Sequence, residues 1–298
     1  MEERLVLTTR EPLDDLDLRP TVEIVRAVVR GHGEVLAAVT AVEPAIAALA
    51  DLAAERNGRV IYVGAGSGGR IAALDASEWG PTFGEDRAIA LLAGADEVAG
   101  SRAEAAAEDD GEAGAAAIRA LDVSGDDVVV GVTASGTTPY VLGALAAARG
   151  RESAVCDAEC PLIAAVTCAP IAVPVDHEIR VPVGPEAIEG STRLKAGTAQ
   201  KLVLNAFSTA VMVRRGRTYG RLMAGMRVAN AKLRARAVSV LVTATACTEA
   251  EAQAALAAAQ DDVGRAIVML VGKVDAATAE ERLRATQGAI KRAAEKWS

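Results

Sequence analysis

The sequence predicts an α/β fold built on a mainly parallel, doubly wound sheet. Short continuous apolar runs rich in β-branched residues recur between positions 59 and 183, and helical stretches lie between most of them. Continuous apolar runs, unlike alternating ones, are expected of strands covered on both faces. Strand–helix alternation at this spacing brings successive strands into one parallel sheet. From Ser191 onward the chain reads as helix almost throughout.

The elements follow in order. Residues 1–20 are charged and irregular and end in Arg19-Pro20. Proline suits the first turn of a helix, and residues 21–30 (TVEIVRAVVR) place apolar side chains at helical spacing. Gly31-His32-Gly33 interrupts the pattern. A second helix is expected from about Glu34 to Arg56, with Pro44 kinking or dividing it. Strands are expected at 59–63, 88–92, 127–133 and 162–166, with 178–183 as a candidate fifth. Helices are expected near 101–120 and 138–149. Long helices follow at 193–215, ending near Gly216, and at 222–245. Three short ones are then opened by Thr248-Glu249-Ala250-Glu251, Asp261-Asp262 and Asp275. The expected division is a helical N-terminal segment (1–57), an α/β domain with its long helices (58–246) and a small three-helix module (247–298).

With 51% hydrophobic and 24% charged residues, the chain of 298 can form a sizeable core, which excludes disorder. Aromatics are only 2%, so helices must pack largely through alanine. A net charge of −8 argues against nucleic acid and anionic membrane surfaces as partners. No apolar run reaches the roughly 18 residues of a membrane-spanning helix. Met1-Glu2-Glu3-Arg4-Leu5 lacks the basic-then-apolar pattern of a signal peptide, so a cytoplasmic location is expected. The cysteines (Cys156, Cys160, Cys168, Cys247) are expected to be free thiols. Cys156 and Cys160 have no second Cys/His pair at zinc spacing, and no metal is expected.

Several segments carry possible chemistry. Gly64-Ala65-Gly66-Ser67-Gly68-Gly69-Arg70 follows the first strand, where backbone N–H groups at a helix start suit phosphate or another anion. Its Gly64-x-Gly66-x-x-Gly69 spacing matches a dinucleotide fingerprint by letter only, since no acidic ribose partner follows a second strand. Thr133-Ala134-Ser135-Gly136-Thr137-Thr138-Pro139 follows the third strand in the same way. Ser135, Thr137 and Thr138 either cap the next helix or bind a ligand shared with the first loop. Asp75-Ala76-Ser77-Glu78-Trp79-Gly80-Pro81 offers two acidic residues, Asp75 and Glu78, after the first loop. Glu104, Glu108, Asp109 and Asp110 offer others, and spacing does not choose among them. Ser191 or Thr192 reads as an N-cap with Arg193 and Lys195 in the first turn. Cations there oppose the helix dipole, which points to an anionic ligand or an acidic partner.

Taken together these segments resemble the N-acetylmuramic acid 6-phosphate etherases, relatives of the glucokinase regulatory proteins in the sugar isomerase superfamily. The resemblance rests on DASEWGPTFG (75–84), EDD (108–110), ASGTTPYVLGAL (134–145), GPEAIEGSTRLKAGTAQKLVLN (184–205) and YGRLMAGMRVANAKLRARA (219–237). It implies a five-stranded parallel sheet flanked by helices, a homodimer, and cleavage of a lactyl ether without metal or cofactor. It further implies that Glu78 is the acid for the leaving oxygen and Glu108 the base at carbon 2. Gly66, Ser67, Ser135, Thr137, Thr138, Ser191, Thr192 and Lys195 would bind the sugar or sugar phosphate. Departures from the family pattern fall at Gly68 for serine, Thr137 for arginine and Ala169 for asparagine. The stretch 149–161 also differs, and Thr8-Thr9-Arg10-Glu11 is a poor match to the family's N-terminal Thr-Glu. A kept catalytic pair with altered contacts favours retained chemistry on a changed substrate, with an unphosphorylated one as the alternative to the family's own. A non-catalytic sugar-phosphate regulator is the rival of a different class.

Overall fold

The computed structural model describes residues 15–95, 102–150 and 160–295. Thr8–Glu11 and Cys156 lie outside them. The chain divides into two compact units, residues 1–76 with 88–207 and residues 77–87 with 208–298.

The first unit opens with three helices, α1 (Thr21–Gly31), α2 (Gly33–Ala41) and α3 (Glu43–Glu55). Pro44 sits in the first turn of α3 and divides the expected second helix there. Five strands follow: β1 (Val60–Gly64), β2 (Ala88–Leu92), β3 (Val128–Val132), β4 (Leu162–Thr167) and β5 (His177–Arg180). They form one wholly parallel sheet in the order β2-β1-β3-β4-β5. Every residue of β1, β3 and β4 is buried, as continuous apolar runs require. β5 starts at His177 and stops before the expected 183, because Pro182 has no N–H to extend the ladder.

Between the strands run α4 (Gly66–Phe83), α5 (Arg102–Ala107), α6 (Gly111–Ala120) and α7 (Pro139–Ala148). One sheet face, with Ile61, Val63, Val129 and Ile163, shares a core with Ile118 of α6 and Tyr140, Val141 and Leu145 of α7. On the alternate side of β1, Tyr62 donates from its buried hydroxyl to Asp75 of α4 at 2.9 Å. The long α8 (Lys195–Arg214) begins in this unit. α1 buries none of its residues, and Val22, Val25 and Val29, spaced three and four apart, are 60%, 54% and 65% exposed.

The second unit carries α9 (Ala231–Thr245), α10 (Glu249–Ala258), α11 (Val263–Gly272), α12 (Ala276–Ala285) and α13 (Ile290–Glu295). Their shared core includes Leu241, Leu256, Ile267 and Ile290. α9 starts at Ala231 where the sequence suggested Leu222, because the Asn230 side chain accepts from Leu233 N at 2.9 Å and sets the start. Thr248 and Glu251 form a reciprocal capping box on α10, and Asp262 and Asp275 cap α11 and α12. A fourth short helix, α13, follows the expected three. Among the described residues no single helix is long and apolar enough to cross a membrane. Cys168 and Cys247 are free thiols, but Cys160 is disulfide-bonded, which corrects the expectation of four free cysteines.

An ion pair between the half-buried Arg59 and the buried Asp127 ties β1 to the turn before β3. Asp127 accepts from Arg59 Nη2 at 2.7 Å, Arg59 N at 2.7 Å and Ser124 N at 2.9 Å. Burial pushes the Asp127 carboxyl up, yet the guanidinium and the two N–H donors outweigh it and hold it at about 2. A carboxyl lowered from 3.8 stabilises the fold fully above its unfolded value and loses that contribution as pH falls toward 2. Asp127→Asn should therefore cost about 2 kcal/mol at pH 7, with the difference from wild type shrinking between pH 4 and 2. Urea unfolding across that range checks it, and a pH-independent difference would contradict the linkage.

Candidate active site

The sheet order places β3 on the opposite side of β1 from β2, so the connections leaving β1 and β3 part in opposite directions. In open parallel sheets the crevice at this reversal, outside the carboxyl ends of the strands, is where ligands bind. Both glycine- and hydroxyl-rich loops lie there.

The first loop leaves β1 at Gly64 and turns into α4 at Gly66, whose φ of +51° lies in the left-handed region. Ser67 and Gly68, half-buried, stand in the first turn of α4, where N–H groups lack helical acceptors and the helix dipole is positive. The second loop runs from Thr133 to Thr138 before α7. The capping alternative fails for Thr138, since its side chain makes no cap hydrogen bond to α7. Its hydroxyl instead meets Thr133 Oγ1 at 2.8 Å. Ser135 Oγ accepts from Thr137 N at 3.2 Å and from Thr137 Oγ1 at 3.1 Å. These hydroxyls thus form a local cluster beside the start of α7.

Glu108 follows α5, and its backbone carbonyl accepts from Tyr140 N, in the first turn of α7, at 3.1 Å. Its carboxylate lies against the first loop: a Cβ built on Gly66 would come within 2.5 Å of Glu108 Oε1. Glu108 therefore joins the heads of α4 and α7, a choice its spacing did not make. Asp110 is occupied otherwise, capping α6 by accepting from Ala113 N at 2.8 Å, and Asp109 is exposed. Glu78 lies on α4 in the second unit and is exposed.

The start of α8 resolves the misplaced cations. Glu186, fully buried, accepts from Lys195 N at 2.9 Å and Ala196 N at 3.0 Å, so a protein carboxylate occupies the anion position of this helix. Lys195, itself 5% exposed, donates from Nζ to Glu34 Oε2 of α2 at 3.2 Å. The helix start and its buried lysine thus each find an acidic partner within the chain, and Ser191 and Thr192 remain half-buried just before it. Glu186 also adds to burial in pushing the Cys168 thiol up to about 12.

Sequence reasoning passed over Glu186 and Gln200. Gln200 is 2% exposed, and its Oε1 would lie 3.3 Å from a Cβ on Gly68, so α8 reaches the first loop through this amide. Among the described residues no group of three or more His, Cys, Asp or Glu side chains could hold a metal ion.

A parallel sheet whose reversal point carries two anion-ready loops and a carboxylate defines a sugar isomerase-type α/β protein. In agreement, residues 43–149 match the family described as the glucokinase regulatory protein N-terminal SIS domain. The chain belongs to the N-acetylmuramic acid 6-phosphate etherase family. It is 43% identical over 289 residues to the protein of that name from Streptomyces avermitilis, covering 95% of this chain and 91% of the relative. It is 47% identical over 246 residues to that of Rubrobacter xylanophilus, covering 78% and 79%. With that of Gloeobacter violaceus the identity is 44% over 306 residues, covering 100% and 98%. A solved structure of an E. coli CFT073 protein is 19% identical, with a TM-score of 0.48 over 68% of this chain and 96% of its own.

Proposed function

We propose that this protein is a carbon–oxygen lyase that cleaves the lactyl ether of N-acetylmuramic acid 6-phosphate or of a related carboxyalkyl sugar ether. The observation that carries the reading is the Glu108 carboxylate beside Gly66 at the head of α4, in a chain whose relatives are named for this activity. A base there meets a ligand whose negative charge the helix start favours. In the ring-opened sugar the carbonyl acidifies the proton on carbon 2. Glu108 removes that proton, and the electron pair forms the carbon 2–carbon 3 double bond as the carbon 3–oxygen bond breaks. Glu78 protonates the departing lactate oxygen. Water then adds to carbon 3 of the unsaturated aldehyde, and a proton returns to carbon 2. Two carboxylates suffice for this sequence when one is poised as acid and the other as base.

In this reading Gly66, Ser67, Ser135, Thr137 and Thr138 face the sugar or sugar phosphate, with Ser191, Thr192 and Lys195 supporting it from the start of α8. Lys195 acts chiefly through its pairing with Glu34, which supports a shaping role over direct contact. Replacing Glu78 or Glu108 with Gln should lower turnover by at least ~100-fold, the usual scale for losing a positioned acid or base. Lactate release from the phosphorylated and unphosphorylated muramic acid derivatives measures it. Near-normal turnover by both variants would remove the assignment of the chemistry to these two carboxylates, whereas a wild type that binds the sugar phosphate and releases no lactate would return the chain to the regulator reading.

A narrower reading of the substrate is favoured by the two loops. Gly68 and Thr137 lack a hydroxyl and a guanidinium that the family pattern supplies, and each charged contact to phosphate contributes roughly 1.5–3 kcal/mol. The wild type should handle the phosphorylated sugar poorly, and Gly68→Ser with Thr137→Arg should improve kcat/KM by ~10-fold or more. The serine must fit a Cβ 3.2 Å from Val132 O and 3.3 Å from Gln200 Oε1, a tight but yielding position. A micromolar KM for the phosphorylated sugar in the wild type would end this reading.

The protein is also proposed to act as a homodimer. The exposed Val22, Val25 and Val29 stripe of α1 supports association, since an apolar helix face left exposed among the described residues is open to a partner. Sedimentation should give twice the chain mass at micromolar concentration, and Val25→Glu should shift it toward monomer. A wild type that sediments as a monomer excludes the dimer.

A further inference from the structure

Glu108 stands between two helices, α5 and α6, in the turn that closes α5, where its N–H donates to Ala105 O at 3.4 Å. A carboxylate so placed has no helical backbone of its own to aim it, yet general-base chemistry tolerates little misplacement. The space it occupies is shaped by missing side chains on either side. On the carboxylate side stands Gly66. Any Cβ there would meet Glu108 Oε1 at 2.5 Å and Cδ at 3.5 Å, so a side chain and the carboxylate cannot both occupy this position. The backbone at Gly66 is moreover in the left-handed region that glycine adopts freely.

On the backbone side, α6 begins three residues after Glu108 and lies directly against α7. A Cβ on Gly143 of α7 would run into the backbone carbonyl of Gly111, the first residue of α6, and a Cβ on Gly114 would run into the carbonyl of Tyr140. The two helix backbones therefore touch, and this contact sets the distance over which Tyr140 N reaches Glu108 O. Asp110, capping α6, ties the intervening residues to the same helix.

We infer that Gly66 and Gly143 are positioning residues for Glu108: the first provides the seat of its carboxylate and the second docks its backbone on α7. The inference rests on the proposed role of Glu108 as base. It gives Gly66 a duty separate from any contact with a ligand anion, and it assigns a function to a helix contact more than thirty residues along the chain from the base. An added methyl at either site moves the carboxylate by a fraction of an ångström to an ångström, and displacements of that size cost up to ~100-fold in rate.

The test is steady-state lactate release by Gly66→Ala, Gly143→Ala and the milder Gly111→Ala, whose Cβ would lie 3.2 Å from Pro139 O and should leave the fold intact. Each variant is made alone and in the Glu108→Gln background, with circular dichroism as the check on folding. The expected result is a kcat lowered about 10- to 100-fold for Gly66→Ala and Gly143→Ala, and less for Gly111→Ala, with KM changed less than about threefold. In the Glu108→Gln background the same changes should add less than about twofold, because residues acting through one group are not additive. A general structural defect would keep its full effect there. Folded variants with wild-type kcat, or losses that multiply fully with Glu108→Gln, overturn the inference. Should the larger variants not fold, Gly111→Ala decides by the same two criteria. Wild-type turnover by Glu108→Gln itself would instead remove the base assignment, a separate outcome.

Discussion

The parallel pairing of β1 with β3 is the constraint on which the rest of the first unit depends. Val60 to Gly64 lie in register with Val128 to Val132, every one of them buried. Parallel strands need crossovers, and those crossovers cover both faces of the sheet with helices. Because β2 pairs on the other edge of β1, the crossovers from β1 and β3 leave in opposite directions. Two helix starts, α4 and α7, are therefore brought to one end of the sheet with a gap between them. The Arg59–Asp127 pair holds the opposite end of the same two segments, in a setting where removing Arg59 would leave the Asp127 charge buried without its cation.

Charge in this unit is divided between architecture and chemistry by what each carboxylate touches. Glu186 accepts two backbone N–H bonds and Asp127 a guanidinium fork with two N–H groups, so their lone pairs are largely taken by the fold. Asp110 caps a helix. Glu108 is anchored through its backbone carbonyl, which accepts from Tyr140 N, and its carboxylate lies beside a glycine at a positive helix end. Abundant alanine and glycine make such an arrangement accessible. Backbones can approach closely only where Cβ atoms are missing, and a base on a short connection becomes rigid only when its flanking helices do so. The loops after β1 and β3 keep Ser67, Ser135, Thr137 and Thr138 but lack, at Gly68 and Thr137, a hydroxyl and a guanidinium of the family pattern, which is the basis of the proposed weaker grip on an anion.

Much of this was legible in the chain itself. Continuous apolar runs marked four strands because burial on both faces leaves no polar alternation to read, and the mixed run at 178–183 was a candidate fifth. Pro44, the Thr248–Glu251 box and Asp275 marked helix starts because their chemistry is local. β5 and α9 were misjudged where one residue, Pro182 or Asn230, outweighed an apolar pattern that ran past it. The site was legible as segments and as a family resemblance. Its internal geometry was not.

What the sequence by itself determined is therefore whatever depends on neighbours within a few residues: strand and helix types, caps, the two loops and their glycines. Spacing left Glu108 level with its acidic neighbours, and the family resemblance singled it out. Only the tertiary structure shows what lies against it, since Tyr140 and Gly66 come to Glu108 from elements 32 and 42 residues away in the chain. It likewise decided that the start of α8 answers to Glu186 and its buried lysine to Glu34, the latter 161 residues distant. Such partners leave no periodic trace, because a contact between distant segments constrains a position in space and not a spacing along the chain.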